Sequence, residues 1–197
     1  VPFTGIAAAN AAPDYSVVPK LPLEVSRLDT QISRFGQKYE AIDVSIDGDL
    51  TRLFVPHGVK PKPSTTKNAV VWYYHATGST YTALSSAFKW SAEMVLKEGA
   101  ICICPNYGGD LWVTDKAIAL QKRAAQWLGN TFTIGLSFGR ANSGGAALMC
   151  YAYAKNLVPA MRGIYSASGA INVEDLYTKD KTRVGAPYNY DTAKMKA

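Results

Sequence analysis

Residues 131–157 read TFTIGLSFGRANSGGAALMCYAYAKNL. The first part, TFTIGLSFG, is a short run of β-branched and aromatic residues of the kind found in strands. The last part, from Ser143 onward, is rich in alanine, leucine and methionine, which favour a helix. A small-residue segment joins the two parts, so the stretch predicts a buried strand that turns directly into a helix.

The same alternation of strand and helix extends along most of the chain. Ala41–Pro56 alternates about Gly48 and predicts an antiparallel hairpin. The predicted strands that follow are NAVVWYYHATG (68–78), AICICP (100–105), TFTIGLSFG (131–139) and MRGIYSAS (161–168), and the predicted helices between them cover 81–99, 113–128 and 143–157. Such an order predicts an α/β fold, with a mostly parallel, doubly wound sheet and an antiparallel N-terminal hairpin at one edge.

Composition limits the classes of protein to consider. With 197 residues, 48% of them hydrophobic, the chain can bury one sizeable core. The net charge of +6 comes from scattered Lys and Arg without a basic run, which disfavours nucleic-acid binding. No apolar stretch approaches the roughly 20 residues of a membrane span. We therefore expect neither a nucleic-acid partner nor a membrane span.

The three cysteines do not form a metal-binding or disulfide pattern. Cys102 and Cys104 alternate along an apolar strand and so share one face, and Cys150 lies in a predicted helix. Cys102 and Cys104 are interpreted as buried thiols of a reducing compartment. No metal ion and no cofactor are expected.

Residues 1–24 form a separate segment. Pro13, Pro19 and Pro22 exclude a continuous helix or strand, and the segment has no periodicity. It is either a solvated terminus or an extended arm that packs on a neighbouring chain or on the outside of the domain. The second alternative predicts assembly through residues 1–24, with residues 25–197 forming the domain.

Two serines compete as the reactive residue of the central stretch. The pattern G-x-S-x-G places a serine at a tight strand-to-helix turn, and it matches Gly135–Gly139 around Ser137. However, the residues after Ser137 are a poor start for a helix, whereas a good helix follows Ser143 at once. Ser143 also has small residues two positions away on both sides, as the turn requires. Ser143 is the favoured nucleophile, Ser137 the alternative, and a turn without chemistry a third interpretation.

This order of elements and motifs, from Ile42 to Tyr177, resembles the α/β-hydrolase superfamily, with Ala141 standing where glycine is usual. The resemblance implies a serine esterase or amidase in which Ser143 forms an acyl-enzyme on a small-molecule or cell-envelope ester or amide. It also implies an oxyanion hole, formed by Ala76, Thr77 and Gly78 together with Gly144.

The catalytic base that the resemblance requires is missing from the expected place. In that family an acid and then a histidine follow the nucleophile, but His57 and His75 both precede Ser143. Asp175, or its neighbour Glu174, is a candidate acid. We expect a C-terminally incomplete sheet, with the coding sequence continuing beyond Ala197 to an acid and a histidine.

A second class of function stays open. The chain could be a structural or binding protein that keeps a hydrolase scaffold without activity. The arm and the sequence RANSGG (140–145) resemble, more weakly, hydrolase-like domains of phage minor tail proteins. That resemblance implies a virion protein; otherwise a cytoplasmic location is expected.

Overall fold

The computed structural model describes residues 17–109 and 111–195. Eight strands form one sheet in the order β1-β3-β4-β6-β5-β7-β8, with β2 paired to β3. The strands are β1 Glu24–Arg27, β2 Gln31–Ile32, β3 Lys38–Ile46, β4 Asp49–Pro56, β5 Asn68–Tyr74, β6 Ile101–Pro105, β7 Ile134–Asn142 and β8 Met161–Ala167. The α/β fold with an N-terminal hairpin is confirmed.

The sheet divides into an antiparallel half and a parallel half. The hairpin β3–β4 is flanked by β1 and β2 on one side and pairs antiparallel with β6 on the other. The remaining strands β6, β5, β7 and β8 are all parallel. Their carboxyl ends therefore meet at one edge of the sheet, the usual place for reactive groups in such sheets.

Helices connect the parallel strands, and further helices follow the last strand, β8. They are α1 Lys89–Leu96, α2 Asp115–Thr131, α3 Gly145–Ala154, α4 Val173–Lys179, α5 Lys181–Gly185 and α6 Thr192–Met195, with 3-10 turns at Tyr81–Ser85 and Ala186–Tyr188. The single helix predicted over 81–99 is thus divided in two. Phe88, between the two pieces, is buried against Tyr73 of β5, with ring centroids 5.0 Å apart, and this contact separates them.

Alternate side chains of the central strands enter two different cores. Val70, Trp72 and Tyr74 of β5 join the core beneath α2 and α3, whereas Val71 and Tyr73 join the core beneath α1. This is the two-residue period expected of a strand covered on both faces. Cys102 and Cys104 share the α1 face of β6 and are buried, as their spacing predicted.

The described part of the N-terminal segment packs on the domain itself. Val18 and Leu21 are buried in the core beneath α2 and α3, and Arg27 donates to the carbonyl oxygen of Val18. The predicted arm therefore includes residues that belong to the domain. Residues 1–16, which hold the rest of that arm, lie outside the described residues, and its assembly role stays a prediction.

Candidate active site at the carboxyl edge of the sheet

Ser143 lies at a sharp turn between strand and helix. Strand β7 ends at Asn142 and helix α3 begins at Gly145. Ser143 has φ +46°, in the left-handed region that costs a residue with a side chain on the order of 1–3 kcal/mol. Its carbonyl oxygen accepts hydrogen bonds from Ala146 N (3.1 Å) and Ala170 N (2.9 Å). These bonds hold the strained backbone, and the side chain is exposed at the edge of the sheet.

Small residues on both sides of Ser143 allow this turn. A Cβ atom at Gly145 would overlap the carbonyl oxygens of Tyr74 and His75, so α3 starts directly against the end of β5. Ala141, two residues before the serine, is completely buried. The alanine is thus accommodated where the resemblance leads one to expect glycine.

The loop after β5 reaches this turn. Gly78 has φ +78°, and Ser79 N donates to the carbonyl oxygen of Ala76 (3.0 Å), which closes a tight turn around Thr77. A Cβ atom at Gly144 would overlap Thr77 Oγ1. The loop and the residue after Ser143 are therefore in contact. The role of Ala76, Thr77, Gly78 and Gly144 as oxyanion donors stays a prediction.

His75 and Asn106 fix the base of this loop. His75 Nδ1 lies 3.0 Å from the carbonyl oxygen of Ala76, and its Nε2 lies 3.1 Å from that of Asn106. The Asn106 side chain accepts a hydrogen bond from Tyr81 N (3.2 Å), where the loop ends. One residue after β6 thus contacts both ends of the loop.

The environment of His75 disfavours a charged ring. Burial lowers the pKa of His75 below its ordinary value, and the carbonyl oxygens of Ala76 and Asn106 and the carboxylate of Asp49 only partly oppose this effect. Both ring nitrogens face carbonyl oxygens, and a neutral imidazole donates to only one of them. Both ring nitrogens of His75 are thus engaged with the backbone at the base of the loop, an arrangement that suits a structural residue.

Comparison with known proteins identifies the fold. No family model matches the chain, and a search of curated proteins finds no match. Among solved structures, the chain is similar to dienelactone hydrolase from Anabaena variabilis (16% identity, TM-score 0.50) and S-formylglutathione hydrolase from Agrobacterium tumefaciens (11% identity, TM-score 0.51). The chain adopts the α/β-hydrolase fold. The weaker resemblance to phage minor tail proteins finds no support in these comparisons.

The chain spans only part of these hydrolase-fold proteins. The similarity covers 70% of this chain and 66% of the dienelactone hydrolase, and 87% of this chain and 74% of the S-formylglutathione hydrolase. At such low identity the likeness shows the hydrolase fold alone. Activity and substrate must be argued from the site.

Within the hydrolase fold, the alternative nucleophile Ser137 does not have the geometry of the nucleophile turn. It lies inside β7, is 1% exposed, and its backbone NH donates to the carbonyl oxygen of Ala160 (2.8 Å). No helix begins behind it. The pattern match at Gly135–Gly139 marks the interior of a strand, because β7 continues through Gly139 to Asn142.

The two other candidates for acid–base chemistry have partners of their own. His57 Nε2 lies 2.7 Å from Glu40 Oε1, buried near the amino ends of the parallel strands, away from Ser143. Asp175 lies in the first turn of α4, where its carboxylate contacts Lys179 Nζ at 2.7 Å. His57 therefore lies at the opposite edge of the sheet from Ser143. Asp175 as the acid stays a prediction.

Some residues of the site were not found by sequence reasoning. Trp112, at φ +44° and buried, packs near Gly144, with its Cζ2 3.5 Å from where a Cβ atom of residue 144 would lie. Asp49 accepts hydrogen bonds from Tyr107 N and Gly108 N at 2.9 Å each. The only signal for this region was its place directly after the strand AICICP. Contacts between residues that are distant in the sequence produce no local sequence pattern from which they could be predicted.

Residues 17–109 and 111–195 contain neither a metal-binding cluster nor a membrane-spanning helix. No cluster of three or more His, Cys, Asp or Glu side chains is arranged to hold a metal ion. No helix is long and apolar enough to cross a membrane.

Proposed function

We propose that this protein is a serine hydrolase of the esterase or amidase type that forms an acyl-enzyme on Ser143. The observation that carries the proposal is the exposed Ser143 at φ +46°, directly before α3 and beside the loop that holds Thr77. Helix α3 directs its free backbone NH groups toward this point, where a negatively charged oxygen would develop. An exposed serine in a strained turn at such a place favours nucleophilic chemistry.

The reaction proceeds in two steps. Ser143 Oγ attacks the carbonyl carbon of an ester or amide while its proton passes to a general base, and the base then protonates the leaving alcohol or amine. Water attacks the acyl-enzyme in the same manner and releases the acid. Small-molecule or cell-envelope esters and amides are the proposed substrates. The names of the solved structures, a dienelactone hydrolase and an S-formylglutathione hydrolase, fit this class.

Neither histidine of the given sequence is proposed as the general base. The sequence has two histidines, and both are held in other contacts: His57 by Glu40, and His75 by the carbonyl oxygens of Ala76 and Asn106. A histidine elsewhere in the encoded protein, oriented by an acid, would complete the site. Asp175 is the candidate acid within the sequence.

The test uses protein expressed from the complete coding sequence. We expect hydrolysis of p-nitrophenyl acetate, with at least a 1,000-fold loss of rate in Ser143→Ala, since removing the nucleophile leaves only weak residual catalysis. Ser137→Ala, a matched substitution six residues away in the same segment, should keep the rate. Full activity in Ser143→Ala would overturn the proposal.

The positions of the two histidines also favour a second function, an inactive scaffold. In that case the part of the N-terminal segment before Val18 would dock on a neighbouring chain, in a phage tail or another large assembly, since Val18 and Leu21 are buried in the domain itself. A complete coding sequence without a further histidine, together with a protein that does not hydrolyse p-nitrophenyl acetate, would favour the scaffold over the enzyme.

A further inference from the structure

Arg140 lies three residues before the proposed nucleophile, and the proposed reaction does not use it. It belongs to strand β7, where it stands in register with Tyr73 of β5 and Tyr165 of β8. The Cζ atom of its guanidinium lies 4.9 Å from the ring centroid of Phe88 and 5.8 Å from that of Tyr165. The partly buried cation is therefore within cation–π distance of two aromatic rings.

The guanidinium of Arg140 is directed toward the carboxyl edge of the sheet. Its Nη1 donates a hydrogen bond to Asn142 Oδ1 (3.1 Å), and Asn142 is the last residue of β7. Because Asn142 directly precedes Ser143, covalent geometry places Nη1 within about 11 Å of the Ser143 Cα atom. A short chain of atoms is thus enough to connect a group on Arg140 with a carbonyl carbon at Ser143.

Arg140 has no acidic partner in the part of the chain that the structure describes. The buried acids Asp43 and Glu93 have other cations: Asp43 Oδ1 lies 2.7 Å from Arg52 Nε, and Glu93 Oε2 lies 2.8 Å from Arg34 Nε. A partly buried guanidinium loses some of its hydration, and without a carboxylate it gains no opposite charge in return. An anionic group of a ligand would supply that charge.

We propose that Arg140 binds a carboxylate of the substrate, so that the preferred substrates are esters or amides with an acidic group close to the scissile carbonyl. This inference rests on the proposed function of Ser143. A guanidinium presents its N–H donors in one plane and matches the two oxygens of a carboxylate. Asn142 accepts from one N–H group of Arg140, and no other described residue accepts from the rest.

The contacts of Arg140 hold its guanidinium in place before a substrate binds. Phe88 is completely buried and packs on Tyr73, so it provides a fixed surface for the cation. Binding a ligand to a mobile arginine costs side-chain entropy, whereas Asn142 and Phe88 already restrict this arginine in the folded protein. Arg140 is thus a specificity-determining residue, whose effect depends on the charge of the substrate.

The test uses two pairs of substrates that differ in one carboxylate. Mono-p-nitrophenyl glutarate and p-nitrophenyl butyrate share an acyl chain, and only the first ends in a carboxylate. The second pair, 4-acetoxybenzoate and its methyl ester, has the carboxylate or its neutral ester on the leaving group. In the protein from the complete coding sequence, we expect kcat/KM to be about 10- to 100-fold higher for the acidic member of at least one pair, as for a hydrogen bond to a charged group.

Three variants separate the charge of Arg140 from its packing. Arg140→Met should abolish the preference for the acidic substrate and keep kcat/KM for the neutral substrate within about 3-fold of the wild type. Arg140→Lys should keep part of the preference, because lysine has the charge but not the planar donors. Arg162→Met removes an exposed arginine of β8 and should leave the preference unchanged. High salt should weaken the preference of the wild type.

The outcomes distinguish the two proposals. A wild-type protein that favours the acidic member of neither pair, or equal losses on both members in Arg140→Met, would overturn the inference. The role of Ser143 would stand in that case if Ser143→Ala still abolishes hydrolysis of p-nitrophenyl butyrate. Full activity of Ser143→Ala on this neutral ester would overturn the proposed function, and the role of Arg140 with it.

Discussion

The two ends of the parallel strands each contain a buried histidine, but the surroundings of these histidines differ. At the amino end, His57 pairs with Glu40, which also accepts a hydrogen bond from Thr30 and lies 3.8 Å from Arg27. At the carboxyl end, both His75 ring nitrogens contact backbone carbonyl oxygens, and the residue fixes the loop that reaches the turn after Ser143. The first histidine holds side chains together, and the second holds a loop beside an exposed serine.

The presence of a large cavity does not identify the candidate active site in this protein. A cavity of about 730 Å³ opens beside His57, lined by Asn68, Gly99 and Gly135 at the starts of the parallel strands. Among the residues that the structure describes, none at that end is an exposed serine in a strained turn. The carboxyl end has such a serine, a helix N-terminus and an adjoining loop, which are part of what acyl transfer needs. The chemistry of the residues therefore decides between the two ends.

The largest change in the free energy of unfolding is expected when a methyl group is added at the carboxyl end of the parallel strands, with the same substitution at the amino end as its control. Gly145→Ala would drive a Cβ into the carbonyl oxygens of Tyr74 and His75, and we expect a loss of about 2–3 kcal/mol in the free energy of unfolding. Gly129 lies in the last turns of α2, at the amino ends of the parallel strands, and a Cβ atom there would meet open space. Gly129→Ala should therefore stabilise the protein by about 0.5–1 kcal/mol. Urea denaturation measures both, and equal effects would contradict the account of the nucleophile turn.

Substituting the two histidines separates stability from rate. His57→Ala and His75→Ala each remove a buried hydrogen-bonding side chain, and each should cost about 1–3 kcal/mol of stability. Only His75→Ala should also lower kcat, by about 10-fold or more, because the loop carrying Thr77 loses its fixed position. A lowered kcat in His57→Ala with full kcat in His75→Ala would reverse the assignment of the two ends.

A smaller effect is expected from pH. The unfolded chain has the ordinary histidine pKa of 6.5, and burial lowers that of folded His75. The contribution of His75 to stability is therefore present above about pH 6.5 and is lost as pH falls through the folded pKa, with a slope of at most about 1.4 kcal/mol per pH unit. Denaturation between pH 7.5 and 5 should show this loss in the wild type, and His75→Ala should lack it. An identical pH dependence in both proteins would contradict the neutral state of buried His75.

Local patterns were sufficient to predict the central elements of the fold. The apolar runs at β5 and β6 and the helix after Ser143 were found because burial on both faces of a sheet leaves continuous hydrophobic sequence. The strands β1 and β2 were missed, since EVSR and QI are short, polar segments that become strands only by pairing with β3. Strand β7 was predicted to end at Gly139, but pairing with β5 and β8 extends it to Asn142.

The site could be predicted only where a residue has local consequences. Ser143 was distinguishable from Ser137 because a strand-to-helix turn requires small neighbours and a helix immediately behind it. The contribution of Asn106 could not be predicted, because it depends on two hydrogen bonds to residues 25 and 31 positions away. A single sequence does not record which loops meet in space.

The most direct test of the central claim is covalent labelling of the protein from the complete coding sequence with a fluorophosphonate, followed by peptide mass spectrometry. Such a probe reacts with a serine whose hydroxyl is activated by a base. The phosphoryl oxygen of the probe then enters the oxyanion hole. The account predicts one modified residue, Ser143, with no label in Ser143→Ala and unchanged labelling in Ser137→Ala. Labelling at Ser137, or a wild-type protein that takes up no probe, would contradict it.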